Sequence, residues 1–227
     1  MIGRRDVRHR CVYAAVLSLG LGAGFGVGTA SAQDPRLATR LEPATATAVT
    51  RLADSVRSVG LPADPLVAVA LEGASRRATS ERILAAVREY AGALGVARQT
   101  LGDSAASDEI VSAAGVIVAG VPPRVMSEYR AARPSGSLTV PLVVLADLVA
   151  RGVPADTAAA ALGAALRNGA RDDELTEFRR RIERDILAGA KPSTAMSIRR
   201  RDLPGMPAGG TSPIRPRAPR LRRPGPR

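Results

Sequence analysis

The chain has 227 residues, 45% of them hydrophobic and 2% aromatic, with 33 Lys+Arg against 21 Asp+Glu and a net charge of +12. Its apolar content excludes a disordered protein, and its length fits one domain better than two. Lys191 is the only lysine, so the positive charge is almost wholly guanidinium, and what it binds depends on where along the chain it sits.

Residues 1–32 read as a secretory signal peptide. Arg4, Arg5, Arg8 and Arg10 make a basic start, and an apolar run follows from residue 11 to 19. Ala30 and Ala32 then place small residues at the minus-three and minus-one positions of a cut before Gln33. The competing reading is an uncleaved signal anchor, since residues 12–30 approach the ~20 apolar residues of a bilayer span. Gly20, Gly22, Gly24, Gly26 and Gly28 make that a poor span, so cleavage is expected. Their even spacing also fails the G-x-G-x-x-G pattern of a nucleotide loop. A twin-arginine pattern is incomplete, because Arg8 stands where an apolar residue is needed. Lipid anchoring is not expected either, because Cys11 precedes the apolar run. Cleavage would remove His9 and Cys11, the only His and Cys. The exported chain would make no disulfides and would rely on core burial.

Residues 33–201 are expected to form an all-α domain of about eight or nine short helices in hairpin-like succession. Six segments share one punctuation: an apolar helical stretch, a glycine, a small or branched apolar residue, then usually proline or a polar residue. The glycines are Gly60, Gly73, Gly120, Gly152, Gly169 and Gly189. Each reads as a helix C-terminus, where glycine takes the left-handed conformation and the next apolar residue packs back on the last turn. Asp64, Ser80, Asp156 and Asp172 follow as helix starters. The glycine spacings show no constant period, so helix-hairpin reuse is expected rather than a solenoid of known class.

Within that frame, Ile83, Leu84, Val87, Tyr90, Ala91 and Leu94 form one apolar stripe, and Leu175, Phe178, Ile182 and Ile186 another. The run from Pro141 to Val149 is apolar nearly all round and is expected to be the central buried helix. A strand competes for 138–145, but the Gly152 stop favours helix. Asp147 is expected to pair with Arg151 one turn on. Asp172, Asp173, Glu174 and Glu177 read as acids that cap a helix and oppose its dipole, with Glu177 reaching Arg181. Asp103, Asp108 and Glu109 read in the same way, with a helix starting at Ser107 or Asp108.

The charge divides unevenly. Residues 1–32 carry +3, residues 33–198 carry +1, and residues 199–227 carry +8. The segment 202–227 holds seven prolines, four glycines and six arginines, and reads as a disordered basic tail with polyproline II tendency. Leu203, Met206, Ile214 and Leu221 are too scattered to dock it firmly. Arg215, Arg217, Arg220, Arg222, Arg223 and Arg227 are the candidate anionic-surface contacts.

Catalysis built on His or Cys would be lost with the leader, and S-x-x-K would put Ser at 188, which is Ala. No metal site and no cofactor are expected. The best enzyme alternative is a carboxylate-dependent cell-wall glycosidase, for which Glu72, Glu81, Glu89 and Glu128 are available. Tyr90 reads as core, and Tyr129 is the one aromatic that could serve as an exposed sugar platform. The main expectation is a secreted or periplasmic, non-catalytic binding or scaffolding protein of the cell envelope, tethered electrostatically by its tail. Its partner would be another envelope protein or an anionic polymer or lipid. Nucleic acid is disfavoured, because the tail has no aromatics to stack on bases. Membrane contact would be peripheral or through an uncleaved signal.

Overall fold

The computed structural model describes residues 34–204. The leader, the cleavage residues Ala30, Ala32 and Gln33, and the six tail arginines from Arg215 to Arg227 lie outside the described residues.

The described chain is all-α, as its periodicity predicts. Its helices are α1 (Pro35–Arg40), α2 (Pro43–Ser58), α3 (Asp64–Ser75), α4 (Ser80–Leu101), α5 (Ser107–Val118), α6 (Arg124–Ala132), α7 (Thr139–Ala150), α8 (Ala155–Arg167), α9 (Asp172–Leu187) and α10 (Pro192–Arg199), closed by a 3-10 turn over Arg200–Asp202. The starters fall at helix N-termini: Asp64, Ser80 and Asp172 are first residues, and Asp156 is second in α8. The helices are not uniformly short, because α4 runs for 22 residues through Gly92 and Gly95.

Five of the six expected stops take positive φ: Gly60, Gly120, Gly152, Gly169 and Gly189. Each closes the same pair of backbone bonds. At Gly152, its own N–H reaches the Val149 carbonyl and the Val153 N–H reaches back to Leu148, both at 3.0 Å. Val153 is buried, which fixes the direction in which the chain leaves the helix. Gly73 is a correction. It lies inside α3, where a Cβ would meet Ile83 Cγ1 at 2.8 Å, so it serves close helix packing rather than termination. The stop after α3 is Arg77, the only non-glycine residue with positive φ among the described residues (φ 55). Ala78 N–H closes the motif on the Gly73 carbonyl at 3.0 Å. A side chain in this conformation costs roughly 1 kcal/mol. Arg77 is exposed, so Arg77→Gly should stabilise the protein by about 0.5–1 kcal/mol. A denaturant midpoint that falls or stays put would contradict this.

The turn bonds also reveal an internal repeat that the glycine spacings conceal. A shift of 92 residues carries Gly60 onto Gly152 and Arg77 onto Gly169, all four with positive φ. The same shift carries the Leu61 to Val56 bond onto that of Val153 to Leu148, and the Ala78 to Gly73 bond onto that of Ala170 to Ala165. Helices α2, α3 and α4 thereby match α7, α8 and α9, with α5 and α6 between them. Buried residues follow the register: Ala53 matches Leu145, Val56 matches Leu148, Ile83 matches Leu175 and Tyr90 matches Ile182.

Substantial packing joins helices one or two places apart in chain order. The two-apart pairs are α1 with α3, α2 with α4, α4 with α6, α5 with α7, α6 with α8 and α7 with α9. This near-neighbour pattern is that of a helical repeat array, so the solenoid-like order absent from the glycine spacings is present in the packing. One apolar cluster runs through the array from Leu37 to Leu203. Its middle is α7, buried through Leu142, Val144, Leu145, Ala146, Leu148 and Val149 and packed on α5, α8 and α9.

Candidate functional site

The side chains with the most chemical potential are built into the array. Tyr129 on α6, the candidate exposed platform, is instead buried at 1% exposure. Its hydroxyl donates to the Ala159 carbonyl on α8 at 3.0 Å, and its ring edge lies against Gly163. Tyr90 is core as expected, and its hydroxyl donates to the Val111 carbonyl at 3.0 Å. Burial pushes both phenols above the ordinary tyrosine range, so both remain neutral donors.

Glu109 does more than the sequence reading gives it. It lies in the first turn of α5 as expected, and its side chain is in addition buried. One carboxylate oxygen accepts the Leu138 N–H at 2.6 Å, and the other accepts Arg130 Nη2 at 2.7 Å. Arg130 donates onward to the Gly136 carbonyl at 2.9 Å. The pair therefore clamps the α6–α7 connection and caps the start of α7. Arg133 ties the same connection to α9 through Asp172, the Ala170 carbonyl and the Ser137 carbonyl. A buried carboxylate with two charge-assisted donors is satisfied, and it has no free face to offer a substrate.

The other glutamates considered for acid–base work lie apart. Glu72 pairs with Arg76 one turn on α3, Glu81 sits in the first turn of α4, and Glu89 and Glu128 are exposed on different helices. The backbone N–H of Glu81 itself, and after it the Thr79 hydroxyl, hold its carboxyl below the usual carboxylate range. Two shallow depressions among the described residues bear on a site. One, of about 520 Å³, is lined by Arg133, Ser135, Gly136, Ser137, Ala170 and Asp172. The other, of about 250 Å³, is lined by Asp173, Glu174, Glu177, Phe178, Arg181 and Asp202. In both, the charged groups are joined in ion pairs across the opening. Among the described residues, no three His, Cys, Asp or Glu side chains come together as a metal site would need.

The α9–α10 hairpin carries the densest ion pairing. Asp147 on α7 pairs with Arg179, and its contact with Arg151 is longer at 4.0 Å. Arg151 turns instead to Glu183 at 2.6 Å, so a four-residue network locks α7 to α9. The expected Glu177–Arg181 pair forms at 3.2 Å, and Arg181 also reaches Asp202 at 3.2 Å. Arg199 forks onto both oxygens of Asp185, at 2.7 and 2.9 Å, and holds that carboxyl well below the usual range. Leu203, grouped with the tail in the sequence reading, is buried at 3%. The root of the C-terminal segment is therefore anchored in the core at Leu203.

No helix among the described residues is long and apolar enough to cross a membrane. Comparison of the chain with protein-family models, with curated proteins and with solved structures finds no match in any of the three.

Proposed function

We propose that the protein is an exported, non-catalytic helical binding or scaffolding protein of the cell envelope, tethered to anionic surfaces by its arginine-rich C-terminal segment. The observation that carries this reading is the disposition of charge. The helical body is close to neutral and spends most of its carboxylates on ion pairs within the fold, whereas six arginines and no acids lie beyond Pro204. Tyr129 is buried, and Glu109, which is not among the four glutamates of the glycosidase reading, is fully paired, so neither side chain adds support to that reading. Helical arrays present long faces to macromolecules, which agrees with a binding role as an analogy of fold class only.

Truncation tests the tether. The cut belongs after Pro204, since Leu203 is part of the core. A chain of residues 33–204 should keep its thermal midpoint and lose most of its retention on envelope fractions at low salt. Equal retention of 33–204 and 33–227 would overturn the tether.

A further inference from the structure

We propose that the exposed side of the α9–α10 hairpin is a lipid-docking edge, which rests on the reading of the protein as an anionic-surface binder and identifies that surface as acidic phospholipid. From Asp172 to Asp202, every carboxylate lies in an ion pair. Four cations of the same stretch, Arg180, Lys191, Arg200 and Arg201, are exposed and form no ion pair among the described residues. The uncompensated charge that the hairpin shows to solvent is therefore entirely positive.

Two large aliphatic side chains accompany these cations. Leu187 ends α9 at 78% exposure, and Ile198 stands on α10 at 54%. Helical spacing puts Arg180, Arg184 (itself paired with Glu177) and Leu187 on one exposed face of α9, and Thr194 and Ile198 on one exposed face of α10, with Arg201 on the 3-10 turn that follows. The Asp185–Arg199 ion pair ties the two helices together. Free cations beside protruding aliphatics match a surface with anionic headgroups above an apolar layer. A soluble acidic polymer would account for the cations and leave Leu187 and Ile198 without a partner.

The absence of tryptophan from the chain gives a direct test. Ile198→Trp in the 33–227 chain places a single indole at the proposed contact. Its emission should shift to the blue with vesicles of mixed phosphatidylcholine and phosphatidylglycerol, and stay unchanged with phosphatidylcholine alone. Leu187→Ser/Ile198→Ser should keep the thermal midpoint, because both side chains are exposed. It should bind the acidic vesicles roughly tenfold more weakly at about 0.5 M salt, where charge is screened within a few ångströms. Unshifted emission on vesicles that nevertheless sediment with the protein would overturn the lipid edge and leave the tail tether standing. Binding to wall polymer but not to acidic vesicles would also overturn it. A blue shift that survives removal of 205–227 would support the edge, and only if the affinity is also undiminished would it refute the tail as the tether.

Discussion

Tyr129→Ala is expected to lower the unfolding free energy by about 4 kcal/mol, the largest single-residue loss in this molecule. The ring is fully buried between α6 and α8, and the Gly163 backbone approaches it so closely that a Cβ there would lie 3.3 Å from Cε1. Truncation would leave a cavity that α8 cannot fill, because its facing residues are Ala159 and Gly163. Tyr129→Phe keeps the ring and loses one hydrogen bond, so its cost should be about 1 kcal/mol. Chemical denaturation of both variants separates the two contributions. Similar small losses would mean that Tyr129 is not the wedge between these helices, and would reopen the question of an exposed role.

Glu109→Ala should cost about 3 kcal/mol, because two donors lose their acceptor at once. The Leu138 N–H is buried at the start of α7, and Arg130 is left half-buried without its counter-charge. Glu109→Gln can still accept from the Leu138 N–H, but it turns an amide NH2 toward the Arg130 donor and so loses the charge and that hydrogen bond; it should cost about 2 kcal/mol. Hydrogen exchange adds a positional readout: the α6–α7 connection and the first turn of α7 should lose protection in Glu109→Ala before the rest of the array. Uniform destabilisation with no local loss would contradict the clamp.

These two residues also show where the sequence stops being informative. Helix stops are legible because glycine followed by a small or branched apolar residue, then proline or a polar residue, has a local physical cause, and five of the six such sites behave accordingly. Gly73 was misread because the same residue also serves close packing, and its partner Ile83 belongs to another helix. Arg77 gave no signal, since nothing in an arginine marks a left-handed residue. It was findable only by register, through the match of Gly60-Leu61-Pro62-Ala63-Asp64 with Gly152-Val153-Pro154-Ala155-Asp156, which places Arg77 opposite Gly169. Local spacing predicted Arg151 for Asp147, whereas its short contact comes from Arg179, across the packed α7–α9 face. The burial of Glu109 and Tyr129 is not legible locally for the same reason: their partners, Arg130, Leu138 and Ala159, lie 21 to 30 residues away.

The array supplies rigidity and a fixed point of departure for the C-terminal segment. Ion pairs hold α9 to α7 and α10 to α9, and Leu203 seats the last structured turn. A basic segment leaving from such an anchored edge would act at a defined place on the molecule rather than as a free polycation.

The salt dependence of binding to acidic vesicles, compared between chains of residues 33–227 and 33–204, tests this most directly. Logarithmic affinity should fall steeply with logarithmic salt for the longer chain, and the shorter chain should bind weakly with a shallow slope. Superimposable curves would contradict the assignment of function to the arginine-rich segment.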